Sequence, residues 1–557
     1  MKLEFCNKNK FLLLIILLNI SYLYSQEALK STEEEYYDFL SLQGLVERPT
    51  LGYRTLSDSV WNVPEDSEHI WSGNNLGSSN IIWQAPEPFD NWFTNGINQS
   101  FSYKIFGPEW FNSYNTAAPY GQNDGALWQG KGYNTALTGG ARLEGYGFEL
   151  TFKPQISFSQ NLEFEYLEGI YKNTHNYFSS GNIDLVQRFG DNPFWNFDWG
   201  DSEARWSWHS LTFGFGTQNP WLGPAFLNPM LGSNNAGGYT KFDAGLRETN
   251  VTIPGIDLNI GSIEGRIWVG QLQESDYFDN DNTNDKRMLT AMSASYKPSF
   301  IPGLTLGLNR VFITYWRNEN FKYILRLFTA SRLNALSSSG NDEDQKFALF
   351  VNWDFPKVGF RFYGELGRDD FSSNECTNPY HTAIYTAGIE QIISITTNIK
   401  SQLILEWNSF ESSQDFQLQW PYEGYYAHHF VKQGYTNKGQ ILGAGSGYFG
   451  NSQFVQYKVY YPKGYSAFKF HRHSPNNNWI YSKAVNQSAN NSNSDLNKDW
   501  YANYETYFYY GVEDCYYILN NLYMVLDLAY IRIHCPLYNK KEQSSNIYAS
   551  LMFKYNF

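Results

Sequence analysis

The last thirteen residues of the chain, 545–557, constrain its fold more than any other segment. Ile547 and Phe553 fall on one side of a strict alternation, and Lys554 falls on the other. A period of two belongs to a β-strand, in which successive side chains point to opposite faces. The apolar set comprises Ile547, Ala549, Leu551, Phe553, Tyr555 and Phe557. We therefore predict a C-terminal strand with one apolar face and one mixed, mostly polar face.

Further alternating stretches suggest that this strand closes a large sheet. Residues 346–355 and 360–367 alternate on either side of a tight turn at Pro356–Gly359, with Arg361 and Glu365 on the less apolar face. An apolar strand that ends a chain on Phe557 resembles the closing strand of bacterial outer-membrane β-barrels, where the terminal Phe is part of the assembly signal. The pattern favours a barrel with charged residues inside and aromatic residues outside.

The connections between the alternating stretches are of two lengths. Short ones, such as Pro356–Gly359, suit the periplasmic end of a barrel, and long polar ones suit the outside. The long connections are Ser275–Lys286, Ser337–Gln345, Asp370–Tyr380 and Ser474–Asp499. We predict an all-β transmembrane protein, namely an antiparallel outer-membrane β-barrel of about 18 strands over residues 99–557.

The N-terminal residues predict export and a separate segment before the barrel. Residues 1–25 form a signal peptide, because Lys residues precede the apolar run Phe11–Leu18, which is too short to span a bilayer as a helix. Residues 31–46 have a helical period behind an acidic first turn. We interpret residues 26–98 as a short, helical periplasmic segment that can plug the barrel; for residues 47–98 the alternative is a loosely ordered leader.

Composition agrees with an outer-membrane location in a Gram-negative bacterium. Aromatic residues make up 18% of the chain, which suits the girdles at the two membrane interfaces. The mean hydropathy of −0.48 is compatible with a barrel, whose strands alternate lipid-facing and lumen-facing residues. A net charge of −14 argues against nucleic-acid binding. The expected partners include outer-membrane lipid and, during biogenesis, the barrel assembly machinery.

Three cysteines remain once the predicted signal peptide is removed, namely Cys376, Cys515 and Cys535. An odd number leaves at least one thiol free. Cys515 and Cys535 flank a hairpin that turns near Asn520–Asn521, but at unequal distances from the turn. The sequence leaves a bridge between them open and does not favour it.

Seven polar motifs follow one another through the predicted barrel. In chain order they are Tyr120–Asn134 (YGQNDGALWQGKGYN), Gly216–Pro224 (GTQNPWLGP), Met230–Ala236 (MLGSNNA), Tyr363–Asp369 (YGELGRD), Tyr380–Tyr385 (YHTAIY), Ala427–Phe430 (AHHF) and Gly434–Gly443 (GYTNKGQILG). Together, in this order, they resemble the capsule assembly Wzi family of outer-membrane proteins. The resemblance extends from about Tyr120 to Gly464. The enterobacterial pattern has Gly-Pro-Gly and Ser-Asn-Asn-Ala-Arg-Pro runs, where this chain has Gly223-Pro224-Ala225 and Ser233–Gly238 without the Arg.

The resemblance implies a monomeric barrel of roughly eighteen strands with a helical periplasmic plug. It also implies a lectin-like role in holding capsular polysaccharide at the cell surface. Amide, carboxylate, imidazole and aromatic side chains suit sugars, which offer hydroxyls and C–H faces. The candidate polysaccharide-binding residues are Trp221, Asn234, Asn235, Glu365, Asp369, His428, His429, Tyr435 and Asn437. For each of them a place in a hydrogen-bond network inside the barrel is the competing interpretation.

The sequence supports other functions less well. A porin-like diffusion channel for small solutes or saccharides is the main alternative, because a barrel of this size can enclose an aqueous lumen. An enzyme is not expected, since Gly445-Ser446-Gly447 lacks the outer spacing of the G-x-S-x-G motif. No cofactor or metal is expected either. An EF-hand loop counted from Asp279 would place Asn284 where Gly is required and Thr290 where Glu is required.

The closing strand generates the first testable prediction. Replacing Phe557 with Asp should impair barrel assembly and trigger envelope stress, because a charge replaces the terminal aromatic residue of the assembly signal. The measurement is the amount of heat-modifiable barrel in isolated outer membranes. Wild-type amounts of folded barrel in the Phe557→Asp strain would contradict this interpretation of the C-terminus.

Overall fold

The computed structural model describes most of the chain between residues 31 and 556. The described residues are 31–64, 67–74, 101–167, 182–279, 281–316, 322–329, 343–369, 383–411, 424–447, 449–476, 500–539 and 542–556. The predicted signal peptide and Cys376 lie outside them. The bounds 1–25, 26–98 and 99–557 for signal peptide, N-terminal segment and barrel stay predictions.

Strands dominate the secondary structure of the described residues. The helices are α1 (Thr32–Ser41) and α2 (Lys322–Arg326), and 3-10 turns occupy Ser72–Asn74, Pro356–Val358, Trp500–Asn503 and Pro536–Tyr538. The strands are β1 (Tyr53–Arg54), β2 (Ser102–Asn115), β3 (Gly132–Gly145), β4 (Phe148–Phe152), β5 (Gln155–Ser159), β6 (Phe194–Asp198), β7 (Glu203–Trp208), β8 (Leu211–Gly216), β9 (Trp221–Leu222), β10 (Lys241–Ile253), β11 (Leu258–Gln273), β12 (Lys286–Pro298), β13 (Leu304–Tyr315), β14 (Glu343–Phe355), β15 (Phe360–Asp369), β16 (Ala383–Thr396), β17 (Ile399–Ser409), β18 (Thr436–Asn437), β19 (Gln440–Ile441), β20 (Asn451–Tyr461), β21 (Gly464–Ser474), β22 (Thr506–Leu519), β23 (Leu522–His534) and β24 (Gln543–Tyr555). None of the helices in the described residues has the length and apolar character needed to cross a membrane.

Twenty of these segments form one closed antiparallel barrel. β4 and β5 both pair with β3, while β6 pairs with β5 and β7 pairs with β4, so these four segments make two interrupted strands. Within the described residues the barrel therefore has eighteen strands, as predicted. Pro154 separates β4 from β5, because proline has no N–H to donate to the ladder.

The C-terminal strand closes the barrel as predicted. β24 pairs with β2, for example Asn112 with Leu551. Its two faces differ in burial, since Ile547 is 57% exposed and Tyr548 is 6% exposed. Large apolar side chains are exposed on the outer face of many other strands, among them Trp110, Trp195 and Phe215. The outside is thus apolar, as contact with lipid requires.

The two ends of the barrel differ as predicted. The hairpin turns 356–359, 462–463 and 520–521 are short and lie at one end, and the longer connections lie at the other. Of the predicted long loops, 370–380 and most of 474–499 lie outside the described residues. Glu343–Gln345 and Ser474 belong to β14 and β21, so these strands extend further than predicted.

The helix predicted over residues 31–46 is observed, but it is shorter. Ser31 caps α1 by accepting a hydrogen bond from Glu34 N at 3.2 Å. The helix ends at Ser41, because Gly44 adopts a left-handed conformation with φ of 72°, a common way to terminate a helix. Val46 continues the helical period in the sequence but lies beyond this stop.

Helix α1 lies in the lumen at the short-turn end, where its carboxylates pair with cations of the wall. Glu33 contacts Lys554 of β24 at 3.0 Å, and Glu35 contacts Lys458 of β20 at 2.6 Å. Asp38 contacts Arg361 of β15 at 2.7 Å and also pairs with Arg48. These pairs join one short helix to three distant strands.

The electrostatic consequence is clearest at Asp38. Burial alone would raise the pKa of its carboxyl, but the guanidinium groups of Arg361 and Arg48 hold that pKa well below its ordinary value of 3.8. Aromatic packing reinforces the attachment, because Tyr36 stacks on Trp71 with ring centroids 3.7 Å apart. Trp71 in turn donates a hydrogen bond to Tyr461 O at 3.0 Å, beside a hairpin turn.

Two connections from the opposite end also fold into the lumen. We call residues 217–240 and 424–447 the lumen loops, and these loops together with residues 31–64 and 67–74 the plug. The apolar side chains of the lumen loops form one buried cluster with inward-facing side chains of the wall. The cluster includes Leu222, Met230, Tyr426 and Tyr435 from the loops, and Trp268, Leu289, Val311 and Ile384 from β11, β12, β13 and β16. This half of the lumen is therefore a packed core.

The two cysteines near the last hairpins are not joined by a disulfide. Cys515 is buried and Cys535 is partly exposed, and both are free thiols. The hairpin turns at Asn520–Asn521 as predicted, between β22 and β23.

Removing the guanidinium of Arg361 should loosen the plug. Arg361 pairs with Asp38 at 2.7 Å, Asp354 at 2.6 Å and Glu390 at 3.1 Å. Arg361→Ala therefore leaves Asp354 and the buried Glu390 without this counter-ion, and leaves Asp38 with Arg48 alone. We expect a loss of about 3–5 kcal/mol in the free energy of unfolding, measured by urea titration in lipid vesicles. The matched control is Arg532→Ala, because Arg532 is exposed on β23, and it should cost about 0.5 kcal/mol or less. Equal losses in the two variants would contradict an ionic attachment of α1.

Candidate functional site

Three carboxylates on the inner wall hold the plug by its backbone. Glu365 on β15 accepts hydrogen bonds from Ala225 N at 3.1 Å and Met230 N at 3.0 Å. Buried backbone N–H groups need partners, and a carboxylate can accept several strong hydrogen bonds at once. Glu365 therefore fixes the path of the first lumen loop.

Glu406 and Glu264 act in the same way. Glu406 on β17 accepts from three successive N–H groups, those of residues 226, 227 and 228, at 2.7, 3.0 and 2.9 Å. Glu264 on β11 accepts from the N–H groups of residues 51, 52 and 53 at 2.8, 3.0 and 2.8 Å. The candidate list from the sequence misses both residues. Glu406 could have been found there, since it occupies the polar face of an alternating stretch with Leu405 and Trp407.

Five of the nine predicted residues connect the lumen loops to one another or to themselves. Trp221 is fully buried, and its Nε1 donates to Ala225 O at 3.0 Å. The Tyr435 hydroxyl donates to Leu231 O at 2.6 Å, and Asn235 Nδ2 donates to Ile441 O at 3.0 Å. Asn437 Nδ2 donates to Gly237 O at 3.1 Å, and His428 Nδ1 accepts from Val431 N at 3.0 Å.

The other four residues lie in different surroundings. Glu365 holds the first lumen loop, and Asp369 forms an ion pair with Lys346 at 2.7 Å. Asn234 is partly exposed and lines a cavity, whereas His429 is exposed in the second lumen loop. The adjacent residues His428 and His429 lie in this loop, outside the strands of the barrel. Within the described residues no group of three or more His, Cys, Asp or Glu side chains is arranged to hold a metal ion.

The half of the lumen opposite the packed core contains a cavity of about 470 Å³, which we call the lumen cavity. Its wall is made by β2, β3, β5, β6 and β20–β24, and the first lumen loop also lines it. Thr32 and Glu35 of α1 bound it at the short-turn end, and Gly121–Gly125 of the β2–β3 connection bound it at the other end. The volume falls in the range of small-ligand sites, ~300–1,000 Å³.

Aromatic rings line the outer part of the lumen cavity. Tyr120 stacks on Tyr509 with centroids 5.3 Å apart, and Tyr548 meets Tyr120 edge-on at the same distance. Elsewhere on the lining, Phe226 of the first lumen loop stacks on Phe454 of β20, with ring centroids 6.0 Å apart. Flat rings of this kind can pack against the C–H face of a sugar.

Charged groups occupy the middle of the lumen cavity. Lys469 contacts Glu513 and lies 3.2 Å from Asp527. The hydroxyl of Tyr509 donates to Asp527 at 2.9 Å, and that of Tyr465 donates to Glu513 at 2.9 Å. These groups are thus held in place by one another before any ligand arrives.

Comparisons with known proteins agree with this architecture. The profile of the family described as "Capsule assembly protein Wzi" matches residues 128–514. No curated protein matches the chain. Among solved structures, Wzi of Escherichia coli, described as an outer membrane protein involved in group 1 capsule assembly and a carbohydrate-binding β-barrel, is 14% identical, with a TM-score of 0.54 over 82% of this chain and 84% of that chain. OprB of Pseudomonas putida is 12% identical, with a TM-score of 0.36 over 82% of this chain and 94% of that one. At its identity the Escherichia coli structure shows a shared fold.

The carboxyl of Asp124, in the connection that bounds the lumen cavity, should make this segment sensitive to pH. Burial raises the pKa of Asp124 from 3.8 to about 7. The charge of Asp527 also raises this pKa, whereas hydrogen bonds from Gln129 and Gln122 lower it. Because the folded pKa is raised, the stability that the neutral carboxyl contributes is complete below about pH 4 and is lost as the pH rises through about 7.

We therefore expect hydrogen exchange over residues 120–129, corrected for intrinsic rates, to be slower at pH 6 than at pH 8. Asp124→Asn should abolish the difference, and Asp257→Asn, in an exposed turn between β10 and β11, should not. A pH dependence that persists in Asp124→Asn would assign it to another group.

Proposed function

The chain belongs to the capsule assembly protein Wzi family, and from that premise we propose that it helps to attach or assemble capsular polysaccharide at the cell surface as a lectin-like barrel. The observation that carries the proposal is the family match over residues 128–514, which includes most of the barrel strands and both lumen loops. The location that follows is the outer membrane of a Gram-negative bacterium.

The filled lumen supports this function over a wide diffusion channel. The lumen loops pack against the inner wall through the apolar cluster and through Glu365 and Glu406. Residues 31–64 pack against it through a second apolar cluster and through Glu264. Water-filled diffusion requires an open path, and here ordered protein occupies much of the cross-section. A barrel that is a rigid frame for loops suits binding better than passage of solute.

We further propose how the nine predicted residues divide between contact and support. Asn234, Asn235 and His429 retain accessible surface and are the proposed contacts to polysaccharide. Five others would act by holding the loops that present those contacts, namely Trp221, Glu365, His428, Tyr435 and Asn437. Asp369 would act by holding Lys346 of the barrel wall. We also propose that the protein contacts the surrounding outer-membrane lipid and is inserted by the barrel assembly machinery. We expect it to be a monomer without catalytic activity.

The proposal predicts a defect in polymer retention, not in polymer synthesis. A strain without this protein should still make capsular polysaccharide but release more of it into the medium, because attachment is lost. The measurement is the ratio of cell-bound to released polymer. An unchanged ratio in the deletion strain would contradict the proposed role.

A triple variant tests the contact residues within that prediction. Asn234→Ala, Asn235→Ala and His429→Ala together should weaken retention, because each hydrogen bond contributes only about 0.5–1.5 kcal/mol and several must be removed. Asn398→Ala with Asn520→Ala, in exposed turns at the short-turn end, is the matched control. Heat-modifiable mobility should be unchanged in both, so that a loss of retention reports on binding.

A further inference from the structure

We propose that the lumen cavity binds a segment of the polysaccharide and that it selects saccharides without acidic groups. The inference rests on the proposed function, because it names the class of sugar that the barrel would hold. It is carried by the cavity's rings, its buried polar atoms that lack partners, and its charge.

Buried polar atoms beside the lumen cavity lack partners within the described part of the chain. They are Gln129 Oε1, Gln456 Nε2 and His471 Nε2, and all three side chains are more than nine-tenths buried. Buried polar groups are normally hydrogen-bonded, so such atoms mark a place where a ligand can complete the bonding. Sugar hydroxyls both donate and accept, and can therefore satisfy an amide oxygen as well as an amide nitrogen.

The aromatic rings supply the second requirement of a saccharide site. Tyr120, Tyr509 and Tyr548 form a cluster at one end of the lumen cavity, and Phe226 and Phe454 form a stacked pair elsewhere on its lining. Rings, amide groups and carboxylates thus line the same cavity. A pyranose ring can pack its C–H face against an aromatic ring and can direct the hydroxyls at its edge to amide and carboxylate groups.

The charge of the lining decides the class of saccharide. Seven carboxylates face the lumen cavity, against two ammonium groups, Lys153 and Lys469. The carboxylates are Glu35, Glu109, Asp124, Asp198, Asp201, Glu513 and Asp527. Even with Lys458 beside Glu35 and Lys438 beside Asp198, the negative groups outnumber the positive ones. Glu109 and Asp124 have no ion-pair partner in the described residues.

An acidic sugar would therefore enter against a negative field. Like charges at close range repel, and the repulsion grows where water is displaced. A neutral sugar avoids this penalty, and its hydroxyls can donate to the same carboxylates. The cavity volume of about 470 Å³ suits a short segment of a polymer chain.

The test compares matched neutral and acidic trisaccharides with the purified full-length barrel at pH 8 and low ionic strength. The probes are maltotriose, cellotriose, galactotriose and N-acetylchitotriose on one side, and trigalacturonate and triglucuronate on the other. Calorimetric titration should detect binding of at least one neutral probe and of neither uronate. Binding of a uronate by the wild-type protein, or of no neutral probe, would overturn the inference.

One variant tests whether binding takes place in the lumen cavity, and a second tests charge selection. Ser550→Trp on the inner face of β24 should fill the cavity and abolish binding of the neutral probe, whereas Ser545→Trp, exposed on the same strand, should not. Glu109→Gln with Asp124→Asn should improve uronate binding by about tenfold, since two like charges are removed. Glu542→Gln, in an exposed loop, is the control and should leave uronate binding unchanged. A gain for uronate cannot come from damage to the fold, so its absence in a folded double variant counts against charge selection.

The two proposals can fail separately. If the deletion strain releases polymer but no neutral probe binds, the retention role stands and the cavity assignment is wrong. If neutral probes bind in the cavity while the deletion strain retains its polymer, the cavity assignment stands and the capsule role is wrong.

Discussion

The interaction on which this structure depends is the capture of backbone N–H groups by carboxylates of the inner wall. An eighteen-stranded barrel encloses more space than its own side chains fill, so segments from outside the sheet must enter. Such segments have few regular hydrogen bonds of their own, and an orphaned N–H group in a dry interior costs about 1–3 kcal/mol. Glu264, Glu365 and Glu406 remove that cost at eight N–H groups in three places.

The same wall also binds the acidic helix through cations, and the two arrangements are complementary. Where the entering segment offers N–H groups, the wall presents a carboxylate; where it offers Glu33, Glu35 and Asp38, the wall presents Lys554, Lys458 and Arg361. Each of these wall groups lies on the inward side of a strand. The same alternation of side chains therefore determines which residues face the lipid and which hold the plug. A change of one residue in strand register would expose these charges to lipid and turn apolar side chains inward.

That alternation is why much of the architecture could be predicted from the sequence. The β14–β15 hairpin, the position of the 356–359 turn and the pairing of the C-terminal strand all depend on local periodicity. The interruption between β4 and β5 was missed, although Pro154 was a visible signal. The entry of the lumen loops was missed for a different reason. Glu406 and the N–H groups it binds are about 180 residues apart, and no local pattern encodes such a contact.

For the candidate site too, the sequence predicts features that depend on local motifs and not contacts between distant residues. The polar motifs identified the right loops, since Trp221, Tyr435 and Asn437 all lie in them. What the motifs did not reveal is that these side chains are directed at backbone groups of neighbouring loops. This arrangement has a physical rationale for a protein that binds a polymer through many weak contacts. Loops that must be ordered on binding lose affinity in proportion to the entropy they give up, so loops fixed beforehand retain more of each contact's free energy. The buried residues would then serve binding without touching the ligand, and the partly open lumen cavity beside them is the surface that their rigidity preserves.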